Sequence, residues 1–107
     1  MNSEISNIVK EFVFETKNIL RDNLVQEYLF GSYAKEEQHK LSDIDILIIV
    51  KEFNSRIRRE ISSLSSDYSI QKGIVISPII KDINIWEKNK KYNTLFYNEI
   101  ENYGIEL

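Results

Sequence analysis

Two aspartates open the most apolar stretch of the chain. Asp43 and Asp45 flank Ile44 and lead into the aliphatic residues 46–50. Residues two apart in a β-strand point to the same side, so the two carboxylates share one face while Ile44 takes the other. They lie about 7 Å apart along such a strand, where two carboxylates can share one or two hard cations. Mg²⁺ is the expected ion.

A second chemical feature, the dipeptide Gly31-Ser32, precedes the aspartates by a ten-residue connection. It lies where a predicted strand turns into a helical start. There, glycine lets the backbone approach a phosphate and free N–H groups point outward. The Lys35 ammonium is within reach of such a phosphate, and Ser42 directly precedes the first aspartate. Gly31, Ser32, Lys35 and Ser42 are therefore the candidate nucleotide-binding residues.

The two features can act together if the connection between them reverses the chain. The end of the first strand then lies beside the beginning of the second, and the phosphate-binding turn shares one edge of a sheet with the carboxylates. Such a site suits phosphoryl or nucleotidyl transfer, in which the enzyme mainly positions groups and neutralises charge.

Each feature alone also has an ordinary structural interpretation. Gly-Ser before a helix is commonly a turn, Ser-Asp-x-Asp a surface turn or helix cap, and Lys35 a surface lysine. The combination favours the functional interpretation, because acids beside a buried strand need a partner charge or a metal.

The elements that position these residues follow from hydrophobic spacing. A three-and-four repeat predicts an amphipathic helix over residues 4–20 with Ser3 as its N-cap. Apolar runs predict three strands, at residues 24–30, 43–50 and 73–79. The polar residues 33–41 carry one or two turns of helix near their start. Further helices are predicted over residues 54–67, near Trp86, and over residues 95–100 before Gly104. The predicted fold class is α+β, a mixed sheet of three to four strands flanked by about four helices.

Length and composition limit the function classes. The 107 residues, 42% hydrophobic and 29% charged, predict a single domain over residues 1–107 with a substantial core. The absence of cysteine excludes disulfides, thiolate zinc sites and cysteine nucleophiles. The net charge of −3 gives no general attraction to nucleic acid, and no membrane-length apolar run or signal peptide is seen. We therefore expect a cytoplasmic protein that contacts neither nucleic acid nor membrane directly.

Gly31-Ser32, the ten-residue spacing and Asp43-x-Asp45 before an aliphatic strand resemble the signature of the minimal nucleotidyltransferases of the DNA polymerase β superfamily. Among these, the chain resembles the MntA-type antitoxins of HEPN/MNT toxin–antitoxin systems. The resemblance covers the motif and the order of elements along nearly the whole chain. It implies transfer of AMP from ATP with Mg²⁺, in some members onto a tyrosine of a HEPN-domain ribonuclease toxin. It also implies that Gly31 and Ser32 hold the triphosphate and that Asp43 and Asp45 bind the metal ions for catalysis.

The chain departs from this family pattern in its third strand. The resemblance implies a third carboxylate there, but the predicted strand contains no acid and Gly73 stands where aspartate is expected. The nearest acids, Asp67 and Asp82, lie outside the predicted strand. Lys35-Glu36 replaces the arginine-glycine common in the family.

Three functions stay open at this point. The first is an AMP transferase acting on a protein hydroxyl, on a cognate toxin. The second is a degenerate transferase that neutralises a toxin by contact alone, which the missing acid favours. The third is a transferase acting on a small molecule, for which so short a chain offers little room. The sequence does not decide whether the chain assembles with itself as well as with a toxin.

Overall fold

Residues 1–39 and 42–107 are described by the computed structural model of the chain. Their helices and strands follow in the order α1 Ser3–Leu20, β1 Leu24–Phe30, β2 Ile44–Val50, α2 Ser55–Lys72, β3 Ile76–Asp82, α3 Ile83–Lys91, α4 Leu95–Tyr103 and β4 Ile105–Glu106. A short 3₁₀ turn at Arg21–Asn23 joins α1 to β1. Among these residues no helix is both long enough and apolar enough to cross a membrane.

The sheet has the order β3-β2-β1-β4. β1 pairs antiparallel with both β2 and β4, and β3 pairs parallel with β2. A parallel neighbour requires a crossover connection, which α2 supplies. Four helices and a mixed four-stranded sheet in the described residues confirm the predicted α+β class. The antiparallel pairing of β1 and β2 also meets the condition that the connection between them reverses the chain.

β2 is buried on both faces and separates two hydrophobic clusters. Ile44, Ile46, Ile48 and Val50 face the larger cluster, which α1 and α2 complete. Leu47 and Ile49 face the smaller cluster, with side chains from α3 and α4. Because side chains alternate along a strand, the aspartates that open β2 point to the same side as Leu47. The acid pair therefore lies on the α3/α4 side of the sheet.

The predicted N-cap of α1 is wrong by one residue. Asn2, rather than Ser3, caps the helix, because Asn2 Oδ1 accepts a hydrogen bond from the Ile5 N–H at 2.8 Å. Downstream of β1, residues 32–36 form turns rather than a helix, and residues 40 and 41 of the predicted polar stretch lie outside the described residues.

The boundary between α2 and β3 also differs from the prediction. α2 continues to Lys72 because Tyr68, beyond the predicted end at residue 67, is buried against Phe12 of α1 with ring centroids 5.6 Å apart. Gly73 then ends the helix in a left-handed conformation with φ 65°. β3 consequently begins at Ile76 instead of Gly73.

Candidate active site

The junction of β1 and β2 brings Gly31 against Asp45. Phe30, the last residue of β1, pairs with Asp45, so Gly31 lies just beyond this pair. A Cβ atom on Gly31 would lie 2.3 Å from Asp45 Oδ2 and 3.2 Å from its Cγ. Gly31 also has φ 74°, a left-handed conformation that costs glycine little. Both the available space and the backbone conformation therefore require glycine here.

The two aspartates lie side by side on one face of the sheet, while Ile44 between them is fully buried on the other. Asp43 is exposed and Asp45 is half-buried. Burial raises the pKa of Asp45 above its ordinary value of 3.8, and the negative charge of Asp43 raises it further. The repulsion between the two carboxylates indicates that a cation placed between them would be attracted by both.

Ser77 of β3 lies beside the acid pair, although it was not among the sequence-predicted site residues. It pairs with Asp45 in the parallel register, and its hydroxyl donates a hydrogen bond to Asp43 Oδ2 at 3.1 Å. A signal in the sequence could have found it, because Ser77 is the one hydrophilic side chain in the run from Ile74 to Ile80. Three strands thus contribute to one polar edge.

Gly73 does not occupy the position beside the acid pair that the family resemblance implied. It ends α2 before β3 begins, and Ser77 is the residue that lies next to Asp45. Asp82 lies within β3, contrary to the prediction, but pairs with the last residue of β2 at the opposite end of the strand. Asp67 lies within α2. Neither of these acids stands beside the pair.

Ser32 and Ser42 lie at the two ends of the connection between β1 and β2. After Gly31, the Ser32 carbonyl accepts a hydrogen bond from the Glu37 N–H at 2.8 Å. Before β2, Ser42 Oγ accepts a hydrogen bond from the His39 N–H at 2.9 Å. Ser32 therefore adjoins the glycine at the site, whereas the Ser42 hydroxyl is engaged by the loop itself.

Lys35 points toward α4. Its Nζ lies 2.9 Å from Glu99 Oε1 and 5.0 Å from the centroid of the Tyr103 ring. The hydrogen bond to Glu99 is the main reason that the pKa of Lys35 is raised. The Lys35 N–H donates to the Gly31 carbonyl at 3.2 Å, which places this side chain one turn beyond the glycine. The structure thus ties the loop after Gly31 to α4.

Two carboxylates fit a magnesium site that substrate phosphates complete. In residues 1–39 and 42–107 no group of three or more His, Cys, Asp or Glu side chains could hold a metal ion. Mg²⁺ usually keeps several waters and takes one or two protein carboxylates together with phosphate oxygens. The absence of a side chain on residue 31 lets the Asp45 carboxylate lie against the end of β1, where the sequence predicts the phosphate-binding turn. Asp43 and Asp45 could therefore hold Mg²⁺ jointly with a nucleotide.

Sequence comparison identifies the family of the chain. The family described as "Nucleotidyltransferase domain" matches residues 5–107. The chain belongs to the nucleotidyltransferase domain family. A relative of this nucleotidyltransferase domain is MJ0141 of Methanocaldococcus jannaschii, a predicted protein adenylyltransferase. The two are 41% identical over 105 residues, covering 97% of this chain and 99% of the relative.

The nucleotidyltransferase domain also resembles solved structures. A toxin–antitoxin crystal structure with AMP-PNP gives a TM-score of 0.60 at 20% identity, covering 90% of this chain and 69% of that chain. A MntA–HpeT toxin–antitoxin mutant gives a TM-score of 0.55 at 19% identity, covering 88% of this chain and 68% of that chain. At such identities the likeness shows the nucleotidyltransferase fold.

The acid pair should lower the stability of the nucleotidyltransferase domain when no cation is bound. Because the folded-state pKa of Asp45 is raised, the unfolded chain releases this proton first, and stability falls as pH rises from 3.8 through the raised value. We expect Asp45→Asn to raise the melting temperature of the metal-free protein at neutral pH by about one to a few degrees.

Thermal unfolding of both proteins across the pH range measures this effect. The advantage of Asp45→Asn should shrink as the pH falls to 3.8 and below, where the parent carboxyl becomes neutral in the unfolded as well as the folded state. A gain of equal size at every pH would show that the charge of Asp45 is not its cause.

Proposed function

We propose that the chain transfers AMP from Mg-ATP to a hydroxyl of a partner protein, as the antitoxin of a HEPN-type ribonuclease toxin. The observation that carries this function is the pair Asp43 and Asp45 set against Gly31 at the junction of β1 and β2. The name of the M. jannaschii relative, a predicted protein adenylyltransferase, supports the reaction class. The fold shared with toxin–antitoxin structures, one of them with AMP-PNP, agrees with a nucleotide substrate and a toxin partner.

In the proposed reaction the chain's own residues position the reacting groups. Asp43 and Asp45 would hold Mg²⁺ against the triphosphate, and the absence of a side chain on Gly31 lets the Asp45 carboxylate lie against the backbone at the end of β1. The bound ion supplies positive charge that offsets the charge developing on the phosphate oxygens.

Bond changes in this reaction balance without a further reactant. The acceptor hydroxyl oxygen forms a bond to the α-phosphorus, the bond from the α-phosphorus to the bridging oxygen breaks, and pyrophosphate leaves. A carboxylate beside the acid pair could accept the hydroxyl proton, but Ser77 occupies that place. In the proposed reaction the proton therefore passes to water.

Transfer of a labelled phosphate tests this function. The purified chain is incubated with Mg²⁺, a HEPN-type toxin from the same cell, and ATP labelled at either the α- or the γ-phosphate. We expect the toxin to gain the α-label alone, and chelation of the metal to prevent the transfer. Gain of the γ-label would show phosphoryl transfer and contradict the assignment.

A second candidate function is a catalytically weak or inactive module that neutralises a toxin by binding alone. This function is favoured by Ser77, whose hydroxyl lies beside the acid pair. The family resemblance implies a third carboxylate at that place. This function predicts a stable complex that forms without ATP and survives Asp43→Asn. It also predicts that the toxin never gains the mass of an AMP group.

Ser77→Asp is expected to strengthen catalysis. A carboxylate here would lie beside Asp43 and Asp45, where it could bind metal and accept the hydroxyl proton, and general-base assistance is typically worth ~10²- to 10⁴-fold in rate. We expect about a hundredfold faster transfer of the α-label, the low end of that range, and tighter binding of Mn²⁺ to the nucleotide-free protein. Ser77→Asn provides the same size without charge. Equal behaviour of the two variants would show that the missing carboxylate does not limit the rate.

A further inference from the structure

An exposed aromatic ring lies beside the loop that follows Gly31. Tyr103, the last residue of α4, is 53% exposed, and Lys35 Nζ lies 5.0 Å from its ring centroid. The neighbouring aromatic side chains of α3 and α4 instead pack against one another, as Trp86 and Phe96 do with centroids 6.0 Å apart. Within the part of the chain that the structure describes, the Tyr103 side chain makes no hydrogen bond and no ring contact other than that with Lys35. Packing in the hydrophobic core therefore does not explain the position of the Tyr103 ring.

The strand register places Tyr103 at the same end of the sheet as the acid pair. β4 runs antiparallel to β1 with Ile105 opposite Leu29, so residue 103 lies at the level of Gly31. β1 separates β4 from β2, and adjacent strands lie about 4.8 Å apart, which puts the two outer backbones roughly 10 Å apart. The loop after Gly31 thus has the Asp45 carboxylate on one flank and the Tyr103 ring on the other.

α4 also lies on the correct face of the sheet. Its Ile100 belongs to the cluster with Leu47 and Ile49, whose side chains share the face of Asp45. Lys35, held by Glu99 of the same helix at 2.9 Å, fixes the loop next to the ring. A nucleotide with its phosphates on the acid pair would extend across this loop toward α4.

We propose that the Tyr103 ring stacks on the base of the nucleotide whose phosphates are held at Asp43 and Asp45. This inference rests on the proposed function. Every nucleobase has a π-face, so an aromatic ring binds a base by stacking without reading its hydrogen-bonding edge. With 53% of its surface exposed, Tyr103 is open to such contact, and the Lys35 ammonium 5.0 Å from the ring centroid helps to hold the ring in place.

Calorimetry with two ligands separates the base from the phosphates. Mg-ATP offers both, whereas Mg-tripolyphosphate offers only the phosphates and the metal. Tyr103→Ala removes the ring, and Tyr103→Phe keeps it without the hydroxyl. Tyr92→Ala is the matched control, because Tyr92 is 70% exposed with Lys91 Nζ 5.6 Å from its ring centroid, but belongs to the connection at the other end of α4.

We expect Tyr103→Ala to weaken Mg-ATP binding about tenfold or more while binding of Mg-tripolyphosphate stays within about twofold of the parent. Tyr103→Phe and Tyr92→Ala should bind both ligands as the parent does. Unchanged Mg-ATP binding in Tyr103→Ala, or an equal loss of both ligands, would overturn the stacking role. A parent protein that binds neither ligand would overturn the proposed nucleotide site itself.

Discussion

Asp45→Asn is expected to reduce transfer of AMP by about a hundredfold or more. Loss of a residue that only hydrogen-bonds to a metal ligand typically lowers metal affinity or activity about 10- to 100-fold. Asp45 would contact the ion itself, so we expect a loss at or above the upper end of this range. Asparagine keeps the size of the side chain and one oxygen, so the variant removes charge with little change in packing. The rate of AMP transfer is measured as incorporation of the α-label into an acceptor protein at saturating Mg²⁺.

Asp82→Asn is the matched control for this prediction. Asp82 lies at the far end of β3 from the site and caps α3 by accepting a hydrogen bond from the Ile85 N–H at 2.9 Å. Asparagine caps helices about as well as aspartate, so the fold should be retained. Equal rates for Asp45→Asn and the parent would remove Asp45 from the catalytic machinery, whereas equal losses in the two variants would point to a general loss of charge.

Gly31→Ala is expected to abolish nucleotide binding and to destabilise the fold. The new Cβ atom would lie 2.3 Å from Asp45 Oδ2, so the carboxylate or the strand end must move. An alanine at φ 74° adds strain of about 1–2 kcal/mol on its own. We expect a melting temperature lower by at least several degrees, about what this strain implies for a small domain, and no measurable Mg-ATP binding.

Gly73→Ala separates backbone strain from the local clash. Gly73 has φ 65°, but a Cβ atom there would meet nothing within 4 Å. This variant should lose about 1–2 kcal/mol of stability and still bind Mg-ATP as the parent does. If Gly31→Ala also retained parental nucleotide binding, the close approach of residue 31 to Asp45 would be irrelevant to the site.

The proximity of Gly31 to the acid pair could be predicted from the sequence because local patterns specify the two strands that carry them. The aliphatic run after Asp45 is long enough to identify β2, and the segment ending at Phe30 identifies β1 with its observed bounds. An antiparallel pair joined by a short connection leaves little choice about which ends meet. The approach of Gly31 to Asp45 follows from these facts.

The place of Ser77 could not be predicted in the same way. β3 pairs parallel with β2 across the whole of α2, so its register depends on how far that helix extends and how it packs. The serine-rich end of α2 gives a weak helical signal, and burial of Tyr68 decides its length. An error of a few residues there placed Gly73, instead of Ser77, beside the acids.

The contacts of α4 were likewise beyond prediction from local patterns. β4 has only two residues, Ile105–Glu106, both exposed, so no alternation reveals it. Its pairing with β1 nevertheless brings the end of α4 to Gly31, where Lys35 reaches Glu99 and Tyr103. Lys35 is therefore engaged by α4 in the structure, whereas the sequence suggested only a phosphate or solvent as its neighbour.

Calorimetry of Mg-ATP binding to the parent and to Asp43→Asn tests the central claim, that the two aspartates hold a divalent ion together with its nucleotide. Asp43 is exposed and precedes β2, so the substitution should leave the fold intact. We expect the parent to bind only when Mg²⁺ is present and the variant to bind about a hundredfold more weakly. Binding by the variant with the affinity of the parent, or parent binding that persists after the metal is chelated, would contradict the claim.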